Sequence, residues 1–213
     1  IKKLDTILSA LSSGDVALVS DGGMPTISDP GYQLVRSALE SGYKVLPVPG
    51  PSAVLAALSV SGLPTDAFVY LGFLPRKSSE RKRVLSDNSA DKRTLVFFES
   101  PYRLLDSLND IETELGNRPI AIGRELTKIH EEVFRGDVRS AIVHYNSSGV
   151  QGEVTLVVGG RSKALVNKWN NDETLACLKA CVQSGKTLSE ASKEVAKKSG
   201  WSRKDVYNLG LQD

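Results

Sequence analysis

The sequence has little of what metal centres and disulfide frameworks are built from: two cysteines and two histidines in 213 residues. Cys177 and Cys181 lie four apart in a helix-like stretch. That spacing sets them on one helix face, where a disulfide is geometrically poor and a free thiol behaves as a small buried hydrophobe. With two scattered histidines there is no zinc pattern. The reading is two structural thiols, no metal, and a reducing compartment. Long apolar runs are also missing. Nothing approaches the ~20 residues of a membrane span, and no signal peptide is visible. Net charge is only +2, so bulk charge announces no polyanionic partner, although it leaves room for a local basic patch. Neither G-x-G-x-x-G nor G-x-x-x-x-G-K-[ST] occurs, which removes the two commonest phosphate cradles. What remains, 40% hydrophobic and 24% charged residues, is an ordinary globular composition for one or two domains.

Against these absences stand two turns dense in glycine and proline, each leaving an apolar run. The first run and turn span 15–31 and end in Gly23-Met-Pro-Thr-Ile-Ser-Asp-Pro-Gly31; the second span 44–53 and end in Pro49-Gly-Pro-Ser-Ala53. The pattern predicts helix 1–13, strand 15–20, a helix capped by Asp29 with Pro30 behind it, strand 44–48, and a helix from Ser52 to Gly62. Such alternation implies βαβ units and a parallel sheet. Ligands of open α/β sheets bind beyond the carboxyl ends of strands, so two such turns side by side would form a pocket edge largely from backbone.

A boundary is expected near 63–67. Beyond it the pattern predicts strands 68–74, 94–99, 119–124, 131–135 and 153–158, with helices at 76–86, 101–115 and 137–144: a mixed sheet with helices. Residues 161–213 read as three short helices, 172–183, 188–198 and 203–210. Thr187 and Glu190 suit a capping box, Ser202 an N-cap, and Gly185 and Gly200 C-terminal stops. This appendage is read as a packing or RNA-contacting tail rather than a DNA-reading helix-turn-helix. The chain opens at Ile1, not Met, inside an amphipathic run (Ile1, Leu4, Ile7, Leu8, Leu11), from which the natural start is expected to be missing.

Further motifs follow in order: Phe98-Glu-Ser-Pro-Tyr-Arg103, then Arg124-Glu-Leu-Thr-Lys128 with Glu131 and Glu132. Together with the two turns, this ordered set resembles the tetrapyrrole methylase superfamily of S-adenosylmethionine enzymes, and within it the ribose 2′-O-methyltransferases of small-subunit ribosomal RNA. The resemblance runs from about residue 15 to 160. It implies an α/β fold with two lobes (1–64 and 65–160), S-adenosylmethionine in the cleft between them, and a helical appendage (161–213). It further implies methyl transfer to a cytidine ribose, a homodimer acting on the assembled small subunit, and a cytoplasmic location, or an organellar one if a plastid or mitochondrial address precedes Ile1. Cofactor contacts carried over from the two turns are Asp21, Gly23, Met24, Ile27, Gly50, Ser52 and Ala53. Met24 stands where this branch usually has Thr, which removes a hydroxyl, and Tyr102 stands where His is commoner.

A ribose hydroxyl is a poor nucleophile and needs in-line placement and help in losing its proton. Glu99, Glu125 and Lys128 are the candidates to polarise it, and the sequence does not choose among them. The segment Arg76-Lys-Ser-Ser-Glu-Arg-Lys-Arg83 supplies a basic ridge. Arg76, Lys77, Arg81, Lys82 and Arg83, with Arg103 and Arg124, are the expected RNA contacts. The rival readings are a methylase of porphyrinoid rings and a non-catalytic RNA-binding or assembly factor.

Overall fold

A computed structural model describes residues 2–147, 150–161, 169–199 and 201–211. The chain divides into two compact units, Ile1–Arg161 and Ser162–Asp213. In the first unit α1 (Lys2–Leu11), α2 (Tyr32–Glu40) and α3 (Ala53–Val60) precede a five-stranded sheet. The sheet is made by β1 (Phe68–Phe73), β2 (Thr94–Glu99), β3 (Pro119–Arg124), β4 (Glu132–Asp137) and β5 (Val154–Val158), with α4 (Ser78–Asp87), α5 (Leu104–Leu115) and α6 (Val138–Ser147) interspersed. A single 3₁₀ turn, Pro101–Arg103, leads into α5.

The strand order is β1-β2-β5-β3-β4. β1 and β2 pair parallel, β5 runs antiparallel between β2 and β3, and β3 and β4 form an antiparallel pair. β1, β2 and β3 therefore share one direction, and their carboxyl ends share one edge. Alternation along the strands sorts the two faces. Leu95, Phe97, Ile120, Ile122 and Leu156 belong to the core formed with Leu85, Leu104, Leu108 and Ala141 of α4, α5 and α6. Val96, Ala121 and Val157 pack instead with Val54, Ala57 and Leu58 of α3. Because both faces are covered, β5 is buried along its whole length, which is why it reads as an unbroken apolar run.

The expected strands at 15–20 and 44–48 are not strands. Neither is among the five strands of the sheet, and Val19 and Val48 are 81% and 82% exposed. Extended backbone becomes a strand only when a neighbour takes up its N–H and C=O groups, and Pro47 and Pro49 remove two donors outright. Nor does Asp29 cap α2: the N-cap is Gly31, at φ 132, with no side-chain cap. Glycine suits this position because L side chains rarely adopt such a φ, and a Cβ would also press on Leu18 Cδ2 at 2.9 Å. Ser52 does cap α3, accepting from the Leu55 N–H.

The second unit packs α7 (Asn171–Gln183), α8 (Leu188–Ser199) and α9 (Arg203–Leu211) around Leu178, Ala191, Val195 and Val206. Thr187 and Glu190 bond reciprocally through backbone and side chain, and Ser202 receives the Asp205 N–H. A second capping box, Asn170 with Glu173, opens α7; its Asn-x-x-Glu spacing is visible in the sequence and was not predicted. Gly185 takes φ 92 after α7, while Gly200 lies outside the described residues. Cys177 and Cys181 are free and half-buried beside this core, and burial pushes the Cys177 thiol up. Trp201 donates its indole N–H to the Trp169 carbonyl at 2.7 Å.

Candidate active site at the carboxyl edge of the sheet

The sheet gathers the sequence motifs at one edge. Glu99 and Arg124 are both paired with Val154, and Arg124 also with Glu132. The two glycine–proline turns touch each other as well. A Cβ on Gly50 would lie 3.2 Å from Met24 Sδ, and one on Gly23, at φ 78, would lie 3.6 Å from the Pro51 carbonyl oxygen. The first turn is anchored to the sheet by Ser28 Oγ, 2.5 Å from the Tyr70 hydroxyl, and Tyr70 packs edge-on against Phe98. Burial raises the Tyr70 pKa, so it stays a neutral phenol at this contact. Thr26 and Ser28 both hold positive φ, 70 and 58, a conformation that costs non-glycine residues energy and so marks a constrained turn. Asp21, Gly23, Ile27, Gly50 and Ala53 are exposed along these turns, and Met24 and Ser52 are half-buried.

The structure removes Glu99 from the candidates for polarising a hydroxyl. It lies on the same strand face as Leu95 and Phe97, is 2% exposed, and is enclosed beneath α5. Its carboxylate accepts the Ser100 N–H at 2.6 Å and the Ser107 hydroxyl, and pairs with Arg103 at 2.5 Å. Arg103, expected on RNA, spends its charge on Glu99 and donates to the Leu74 carbonyl at 3.2 Å. The pair fixes the turn between β2 and α5.

Glu125 and Lys128 remain. Gly123 and the chain reversal at Glu125 (φ 48) and Thr127 (φ 67) carry them off the end of β3. Glu125 Oε1 accepts the Glu153 N–H at 2.8 Å and Lys128 Nζ at 2.9 Å, and Lys128 also reaches Glu153 at 3.2 Å. The Glu153 N–H and then Lys128 lower the Glu125 pKa; Glu125 and then Glu153 raise that of Lys128. Gly152 makes this approach possible, because a Cβ there would sit 2.3 Å from the Glu125 carboxylate. Beside the trio, Arg124 pairs with Glu132 at 2.9 Å, and Glu132 with His144 at 3.0 Å. Arg124, Glu125, Glu132 and Gly152, with His130, Tyr145, Val150 and Gln151, line an open cavity of about 410 Å³. Gly152 and Glu153 were missed in the sequence, where only the glycine before a charged strand start hints at them.

The basic ridge is half structural. Arg81 is 3% exposed and donates to Asp110 at 2.7 Å and to the carbonyls of Pro75 and Arg76 at 3.4 Å. A buried, fully engaged guanidinium cannot face RNA, so Arg81 leaves the set of expected contacts. Lys82 lies 3.5 Å from the same Asp110, and Lys77 lies 3.3 Å from Glu80. Arg76 and Arg83 are exposed and, among the described residues, without an acidic partner.

Residues 2–142 match the tetrapyrrole (corrin/porphyrin) methylases as a family. The chain belongs to this family. The tetrapyrrole methylases transfer methyl groups from S-adenosylmethionine, and the chain is a methyltransferase of that kind. A relative from Halalkalibacterium halodurans, named ribosomal RNA small subunit methyltransferase I, is 41% identical over 93% of this chain and 70% of its own length. One of the same name from Thermotoga maritima is 48% identical over 75% of this chain and 72% of its own. Among solved structures, uroporphyrin-III C-methyltransferase from Thermus thermophilus, complexed with S-adenosylhomocysteine, has the methylase fold in common at a TM-score of 0.50. It is 19% identical, over 73% of this chain and 71% of that one. Among the described residues no group of acidic, histidine and cysteine side chains could hold a metal ion, and no helix is long and apolar enough to cross a membrane.

Proposed function

We propose that this chain methylates a cytidine ribose 2′-hydroxyl in small-subunit ribosomal RNA, acting in the cytoplasm as a homodimer on the assembled subunit. The observation that carries this reading is the convergence of the four ordered motifs on one sheet edge, in a chain whose curated relatives bear the ribosomal RNA methyltransferase name.

The turns fit S-adenosylmethionine. Gly50 leaves its backbone open where a side chain would crowd Met24, and Gly23 takes a left-handed φ of 78 that side chains disfavour. Ser52 caps α3 through the Leu55 N–H, while the first N–H groups of the helix, at Ala53 and Val54, have no acceptor among the described residues. Such donors at a helix start suit a carboxylate. Asp21 and Ile27 complete the expected contacts. When bound, S-adenosylmethionine supplies an electrophilic methyl group on its sulfonium.

The protein's own part is placement. Glu125 is held as an anion and Lys128 as a cation across the neutral range, so neither is a base poised near pH 7. Their fixed charge pair, steadied by Glu153, orients the RNA backbone beside the turns. Lys128 is the residue positioned to contact the ribose or its phosphate, and the hydroxyl proton passes to water. Arg76, Lys77, Lys82, Arg83 and Arg124 add phosphate attraction.

The test is incubation with undermethylated small ribosomal subunits and tritiated S-adenosylmethionine, followed by nucleoside analysis. Label in 2′-O-methylcytidine is expected. Label in a base, or none from protein that binds S-adenosylmethionine, overturns the reading. Transfer to a porphyrinoid instead favours the small-molecule branch of the family.

A further inference from the structure

Resting on the RNA reading above, we infer that Tyr102 and Phe73 are stacking platforms for unpaired RNA bases, with Arg76 as the phosphate contact beside them. Tyr102 is 92% exposed and Phe73 57%. Single exposed apolar residues are common and need no explanation. What sets these two apart is the frame beneath them.

Phe73 ends β1 and packs edge-on against Phe98, with ring centroids 5.4 Å apart. The next residue, Leu74, donates its N–H to the Phe98 carbonyl at 3.3 Å. Its own carbonyl receives Arg103, the residue after Tyr102, at 3.2 Å. Arg103 is in turn locked by buried Glu99. The following carbonyls, of Pro75 and Arg76, receive buried Arg81, which Asp110 holds. Arg103 thus pins the strip 73–76 to the turn that carries Tyr102, and Arg81 pins it to α4 and α5. Phe73 and Arg76 belong to this strip, and Tyr102 belongs to the turn tied to it.

A ring carried on pinned backbone needs no main-chain ordering when it stacks. Every base offers a π-face, so stacking tolerates any sequence, while a duplex hides its base faces. The adjacent unneutralised charge on Arg76 complements a phosphate backbone. Exposed aromatics beside a free cation are the chemistry of single-stranded nucleic-acid recognition. The ligand assigned to the strip is therefore an unpaired or splayed segment of RNA, and not a helix.

The test compares binding of the whole chain to a short unstructured RNA and to a fully paired hairpin of the same composition, by fluorescence anisotropy. The wild type is expected to prefer the unpaired strand. Tyr102→Ala should weaken that binding roughly 5- to 100-fold, whereas Tyr102→Phe stays within about 2-fold. Phe73→Leu, which keeps apolar bulk against Phe98, should give a smaller loss. An unchanged thermal midpoint is expected for Tyr102→Ala, because the ring is nearly all in solvent. Unchanged affinity in Tyr102→Ala, equal damage in Tyr102→Phe, or a wild type that holds the hairpin as tightly overturns the inference. Nucleoside analysis of methylated subunits separates this from the ribose reading. Label found in a base, with Tyr102→Ala impaired as expected, overturns the ribose chemistry alone. Label in ribose with Tyr102→Ala binding normally overturns the stacking alone.

Discussion

Residues 15–20 and 44–48 resemble residues 154–158 in composition, yet the structure treats them oppositely. Val154–Val158 is buried along its whole length with a ladder on each side. Val16-Ala-Leu-Val19 and Val45-Leu-Pro-Val48 lie largely exposed with no ladder. Apolar, β-branched sequence is a fit to a half-buried pleated surface and not an intrinsic instruction. The neighbours decide. The unladdered runs still serve the site, because they deliver the two turns that meet at Met24 and Gly50.

The sharpest way to test that difference is to truncate both kinds of run. Leu156→Ala should destabilise the first unit by about 3 kcal/mol, the usual cost of a core cavity. Val48→Ala should stay within about 0.5 kcal/mol. Urea unfolding followed by circular dichroism reads both, and equal losses would mean that residues 44–48 do have a partner in solution.

A somewhat smaller effect separates the two kinds of arginine in α4. Arg81→Met strands Asp110, which keeps only Ser78 and Lys82, and should cost about 2–3 kcal/mol. Arg83→Met should leave stability unchanged and instead reduce the salt dependence of RNA binding by a slope of about 1.

Smaller again is the effect of Gly23→Ala. Its left-handed φ penalises a side chain by about 1 kcal/mol. S-adenosylmethionine affinity should fall roughly 5-fold by calorimetry as the turn relaxes from its binding geometry, with the unfolding midpoint lowered by at most about 2–4 °C. A large loss of stability would instead make the turn part of the packed core.

The least effect is expected in the second unit. Lys186 and then Lys198 hold the Glu194 carboxyl down at about 2, from an ordinary 4.5. A carboxyl depressed in the folded state stabilises fully above its unfolded value and loses that contribution as the pH falls from about 4.5 to about 2. Glu194→Gln should therefore lower the midpoint of this unit by about 1–3 °C at pH 7 and by nothing near pH 2. Both tryptophans, Trp169 and Trp201, lie in this unit, so their emission follows it alone.

Much of the sheet was legible. Strands 94–99 and 119–124 appear with the expected bounds, because each is an apolar run closed by charge or proline. The limits came from relations that no window contains. The odd–even alternation of β2 places Glu99 with Leu95 and Phe97, but which face the helices cover depends on α5, which packs back over the strand. Arg81 looked like part of a solvated ridge, since its partner Asp110 lies 29 residues away. The spacing of Arg81 to Leu85 on one helix face was the only local sign that the guanidinium points inward. Glu125 and Lys128 were found by charge density, whereas Glu153, which completes them, depends on β5 lying beside β3.

That strand order also governs how the protein can fold. β2 and β3 never touch; β5, the last strand of the sheet to be synthesised, lies between them. Until it arrives, β1–β2 and β3–β4 are two separate ribbons, each with an open inner edge able to pair with another chain. Closing the sheet requires contacts across as many as 63 residues of sequence (Leu95 to Val158), a demand that slows folding and prolongs exposure. The same insertion that seats Glu153 beside Lys128 makes completion of the sheet and assembly of the charge cluster a single late event. A chain halted before residue 154 would have every sequence motif of the site and no edge on which to hold them.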